Sequence, residues 1–278
     1  GIAHSNDGAS AAALDRLHEA HLAFTALGDD LGRTRALARI AADLIDAGRP
    51  EDGIDALVEA TILFDHLTEP STALADALST ASDAHAALGS FPIARELNER
   101  VLALAARLES DYEMAWHRYG AAVDFWRWGE TLLATAPDEA TARLREAVAH
   151  AHEAIRHADL AGEPSIRGLA ELTGALALIG LGHHGQAAAL LDAATRHGAD
   201  AEPAEASYAA LGRARIAAAA GDHERAIEEY GRAIPSLITS AGRRLGTDAL
   251  RERAELRAAS GDLPGAVDDL RLAADHAE

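Results

Sequence analysis

The 278 residues carry 45 acidic side chains against 25 basic ones, a formal net charge of −20, and 49% of them are hydrophobic, enough apolar surface for a continuous core. There is no cysteine, which excludes disulfides, thiolate nucleophiles, cysteine-ligated zinc and iron–sulfur clusters and fits a reducing cytoplasm. A field of this sign repels phosphate backbones and anionic lipid heads, so neither nucleic acid nor membrane is an expected partner. Much of the apolar content is alanine and strand formers are sparse, which predicts an all-α chain. Every basic residue is arginine, a bias that points to a GC-rich bacterial genome.

Residues 1–8, in the opening GIAHSNDGAS, have no basic region followed by an apolar one and read as a disordered end rather than a signal peptide. Residues 9–27 read as the second helix of a hairpin whose first helix is missing. From there a glycine is followed five residues later by a small residue at five places: Gly48/Gly53, Gly89/Ala94, Gly182/Ala187, Gly221/Ala226 and Gly261/Ala266. Each pair separates two apolar-periodic segments, as in RARIAAAAGDHERAIEEYGRAI. A glycine there suits a left-handed helix cap, and a small residue lets the next helix pack closely against the last, so each pair predicts a helix hairpin.

The turns are 41, 93, 39 and 40 residues apart, and the long interval requires one more turn. TAPDEATARL supplies it, with Pro137 and Asp138 opening a helix after Ala136, and the two helices flanking it should be longer than their neighbours. An echo at an offset of 40, HEAHLAFTALGDD against VEATILFDHLTEP, supports the same frame. The longest weakly polar run, Leu169 to Gly182, contains Glu171 and is shorter than the ~20 apolar residues that span a bilayer.

The segments GDHERAIEEYGRAI (Gly221, Ala226, Tyr230, Ala233) and AGRPEDGIDALVEA (Gly48, Gly53, Leu57, Ala60) resemble the tetratricopeptide repeat over nearly the whole chain from about residue 10. The period near 40 exceeds that family's usual length, and most of its helix A aromatics and final prolines are absent. The resemblance implies a right-handed α-solenoid of antiparallel helix hairpins, about six in number, forming a single array over residues 9–278. It also implies a concave surface lined by the first helix of each unit. Carried over by position, that surface includes Asp76, Asp83, Tyr208, Arg215 and Arg251.

The stretch 112–130, YEMAWHRYGAAVDFWRWGE, holds all three tryptophans of the chain. On a helix Tyr112, Trp116, Tyr119, Trp126 and Glu130 share one arc with Val123, while Met114, Ala121, Phe125, Trp128 and Leu132 share the opposite one. Two readings follow: both arcs are core between long central helices, or the first lines an aromatic pocket for a peptide or small apolar ligand. Glu146, His150, Glu153 and His157 also share a helix face with metal-ligand residue types, but such polar faces are ordinary on soluble helices, so no metal and no cofactor is expected. No G-x-S-x-G, Walker or dinucleotide glycine pattern occurs, and an enzyme is not expected.

The sequence therefore predicts a cytoplasmic protein- or peptide-binding scaffold, the sensory or interaction module of a larger bacterial signalling or regulatory protein with an output domain beyond residue 278. The alternatives are a stand-alone adaptor bridging proteins, or a small-molecule sensor using the aromatic pocket. A homodimer is expected through the last hairpin, where Leu263, Val267 and Leu270 lack a covering helix.

Overall fold

The hairpin around Gly221 shows how the sequence makes a turn. The helix Pro203–Ala219 ends with Gly221 at φ 80°, a left-handed conformation that a side chain disfavours, and Asp222 N–H reaches back to Ala217 O at 3.0 Å. Asp222 then caps the next helix, its carboxylate accepting from Arg225 N–H at 3.2 Å. Ala226 follows, fully buried where the two helices approach. The other four glycines of the pattern also have positive φ, and Ala94, Ala187 and Ala266 are buried. At the remaining pair even a methyl would be crowded: a Cβ on Gly53 would lie 3.0 Å from Ala41 O and 3.2 Å from Ile45 Cγ1.

The computed structural model describes residues 3–67, 69–199, 202–238 and 243–276. Among the described residues there are thirteen helices and no strand. They are α1 (Ala3–Leu27), α2 (Asp30–Asp46), α3 (Pro50–Phe64), α4 (Thr72–Ala87), α5 (Phe91–Arg107), α6 (Asp111–Leu132) and α7 (Pro137–Ala161), then α8 (Pro164–Gly180), α9 (His184–Arg196), α10 (Pro203–Ala219), α11 (His223–Leu237), α12 (Arg243–Ala259) and α13 (Leu263–Asp275). α1 begins at Ala3, within the stretch read from sequence as a disordered end. Pro137 opens α7 as expected, and α6 and α7, at 22 and 25 residues, are longer than the helices α2–α5 and α8–α13. None of the described helices is long and apolar enough to cross a membrane.

The chain divides into two compact units, Gly1–Asp124 and Phe125–Glu278. In the first, α2 packs on α1, α3 and α4, and α4 packs on α5. Its core is built from Leu37, Leu57, Phe64, Leu74, Leu78, Leu97 and Val101, with buried alanines between them. A buried polar knot adds specificity: Asp124 Oδ2 lies 2.9 Å from Ser82 Oγ and accepts from Asn98 Nδ2 at 2.8 Å, joining α6 to α4 and α5.

In the second unit α8 contacts α7, α9 and α10, and the pairs α10/α11, α11/α12 and α12/α13 follow one another. Phe125, Trp126, Leu144, Leu172, Leu176 and Leu191 form one core cluster, and Leu211, Tyr230, Ile234, Leu237 and Leu250 another. The long helix of the aromatic stretch meets α7 closely, since a Cβ on Gly129 would lie 2.6 Å from Leu144 Cγ. Asp269 on α13 is almost fully buried and is held by Arg253 Nε at 2.9 Å and Arg257 Nη1 at 3.0 Å, both from α12.

Candidate functional site

The aromatic stretch does not behave as one face. Tyr112 and Trp116 are 47% and 39% exposed, with the Trp116 and Tyr119 rings 5.8 Å apart and tilted. Trp126 is 3% exposed and meets Tyr208 of α10 edge-on at 5.8 Å. On the opposite arc Phe125 stacks on Trp128 at 6.2 Å and on His150 of α7 at 5.2 Å, and Arg143 sits 4.2 Å over the Trp128 ring. Phe125 and Trp128 of that arc are packing within the second unit. The two glutamates on the polar α7 face pair locally: Glu146 accepts from Arg143 at 2.8 Å and Glu153 from Arg156 at 2.6 Å.

One turn beyond Trp126, Glu130 enters a polar network that four helices share. Arg215 of α10 donates from Nη1 to Glu130 Oε2 at 3.0 Å, and from Nε and Nη2 to the two oxygens of Glu252 of α12 at 3.1 and 2.9 Å. Tyr230 of α11 donates its hydroxyl to Glu252 Oε2. Burial works against the Arg215 charge, but the carboxylates of Glu130 and Glu252 outweigh it and raise its pKa above the ordinary arginine value. Burial first, then the Glu252 charge, raises the Tyr230 phenol and keeps it a neutral donor. The second oxygen of Glu130, Oε1, is buried and has no hydrogen-bond partner.

These groups form one wall of a pocket of about 420 Å³. Leu133, Ile179, Gly180, Ala218, Glu255 and Leu256 complete its lining. Three carboxylates against one guanidinium leave the pocket acidic, and its aliphatic members leave it partly apolar. A side chain at Gly180 would intrude on this wall, since a Cβ there would lie 3.4 Å from Glu130 Oε1 and 2.8 Å from Leu144 Cδ1.

The sequence-derived positions scatter accordingly. Glu130 and Arg215 meet in the pocket, and Trp126 and Tyr208 meet beside them in the core. Arg251 is exposed and pairs with Asp248 at 3.2 Å. Asp76 and Asp83 are exposed on α4, and Asp76 lies near Glu113 and His117 of α6. Glu252, Tyr230 and Leu256 were not among the expected site residues. Tyr230 is one of the repeat positions of the sequence pattern, and Glu252 lies one residue from the projected groove position Arg251, a rotation of about 100° on a helix.

No family model matches the chain, and no curated protein matches it. Solved structures do. A Rap protein complexed with Competence and Sporulation Factor is similar at 14% identity and TM-score 0.65, over 97% of this chain and 77% of that one. BtubC (BKLC) from P. vanneervenii is similar at 16% identity and TM-score 0.54, over 88% and 90%. PilW, a widely conserved type IV pilus biogenesis factor, is similar at 16% identity and TM-score 0.52, over 85% and 90%. With its hairpins, these matches define the fold class: an all-α, tetratricopeptide-like solenoid, divergent in sequence.

Replacing Trp126 with Ala should cost about 3–5 kcal/mol in unfolding free energy, because a buried aromatic leaves a cavity. The same change at the half-exposed Trp116 should cost about 1 kcal/mol. Urea titrations followed by circular dichroism make the comparison; equal costs would mean that Trp126 is not packed as described.

Proposed function

We propose that the chain is a non-enzymatic protein- or peptide-binding scaffold, the interaction module of a bacterial signalling or regulatory protein acting in the cytoplasm. The observation that carries the reading is the pocket between α6, α8, α10, α11 and α12, where a buried carboxylate oxygen of Glu130 has no partner beside an aliphatic wall. Its size lies toward the lower end of ligand pockets, enough for one or two side chains of a peptide rather than a folded surface. Its charge selects a basic side chain, with Leu133, Ile179 and Leu256 taking the methylene stem or an apolar neighbour. The likeness in fold to a Rap protein complexed with Competence and Sporulation Factor supports an interaction role. The expected output domain remains part of this proposal.

Panning the purified chain against a displayed random-peptide library should enrich sequences containing Arg or Lys next to an apolar residue. Their binding should fall at least tenfold in Glu255→Lys, a substitution on the exposed rim, with the circular dichroism spectrum unchanged. Recovery of no basic consensus, or of peptides that bind Glu255→Lys equally well, would overturn the assignment.

The homodimer is proposed on separate grounds. Leu263, Val267 and Leu270 form an i, i+4, i+7 stripe on α13 and all three are exposed. Sedimentation at tens of micromolar should show a dimer that Leu270→Glu converts to monomer. A wild-type monomer at that concentration would end the proposal.

A further inference from the structure

Within the first unit, α4 and α6 bring together three groups that the peptide-binding reading does not use. Asp76, Glu113 and His117 place one carboxylate oxygen each and one imidazole nitrogen within 4.8 Å of one another. Glu113 and His117 lie four apart on α6, which puts both side chains on one face of the helix, and Asp76 projects toward them from α4. His117 Nε2 is 3.3 Å from Glu113 Oε2.

An acidic pair alone would be an ordinary feature of a chain with a net charge of −20. The histidine is what distinguishes this one. The His117 side chain is 0% exposed, and neither ring nitrogen makes a hydrogen bond. A buried imidazole without partners costs free energy that the fold must offset, unless something occupies the position it faces. Asp76 is exposed, so an ion has a route to the cluster from solvent.

We propose that Asp76, Glu113 and His117 form a divalent-metal site, suited to Zn²⁺, that staples α4 to α6. One imidazole and two carboxylates are a borderline donor set that fits zinc better than magnesium or calcium, which prefer oxygen ligands alone. Three protein ligands leave a fourth tetrahedral position for water. Because two of the three ligands come from α6 and the third from α4, the bound ion links helices that are separate in sequence, and it stabilises the folded chain by mass action.

The test is a calorimetric titration of chelator-treated, dialysed protein with ZnCl₂ alone, on wild type and on Asp76→Asn and Glu113→Gln. Both substitutions keep side-chain size, and Asp76 is exposed, so the helical circular dichroism of each variant should match wild type. The expected result is one saturable zinc per chain, weakened at least tenfold in each variant. It should be accompanied by a zinc-dependent rise in the thermal midpoint of wild type that both variants lose. No saturable site, or a site whose affinity is the same in both variants and so belongs to other histidines of the chain, would overturn the proposal.

Discussion

The placing of α6, α10, α11 and α12 around the pocket depends on one cation. Arg215 is largely buried and would be expelled by desolvation alone, yet it bridges Glu130 and Glu252, and Tyr230 closes the network through Glu252. A buried ion network adds little net stability over well-packed apolar side chains, but removal of one partner strands a charge. Its effect here is positional. It sets two carboxylates at a wall that also holds Glu255 and aliphatic side chains, and one buried oxygen of Glu130 has no hydrogen-bond donor. That combination is what the proposed preference for a basic side chain rests on.

The helices that carry these groups are set by a simpler rule. A left-handed glycine ends a helix, and a small residue five positions on lets the next helix approach. At Gly28, Gly221 and Gly261 the following aspartate caps the next helix with its side chain. The five hairpins that follow this pattern therefore have their crossing points fixed by short-range chemistry. Alanine dominates the interior because helices this close leave no room for more, as the contacts a Cβ on Gly53 or Gly129 would make demonstrate.

This division explains what could be read in advance. The five glycine turns and the start of α7 at Pro137 were legible because each depends on residues within about six positions of one another. Gly162 and Gly198, which end α7 and α9, were not singled out: both have positive φ, but neither is followed five residues later by a small residue. The site was legible only in part. Arg215 contacts Glu130 at a separation of 85 residues and Glu252 at 37, and such meetings depend on the rotation of each helix. A slip of one residue in the repeat register moves a side chain through about 100°, enough to select Arg251 in place of Glu252. The aromatic stretch could not be divided from sequence because both of its arcs are apolar. Only the packing of Trp126 on Tyr208, against the openness of Tyr112 and Trp116, separates core from surface.

Arg215 is what holds these helices in place around the pocket. Urea unfolding of Arg215→Gln, followed by tryptophan fluorescence and circular dichroism, tests it most directly. A loss of about 3–5 kcal/mol is expected, the usual cost of stranding a buried charge, here Glu130, with helical content otherwise retained in water. An unfolding midpoint and slope equal to those of wild type would contradict it, because Glu130 and Glu252 would then need no cation between them.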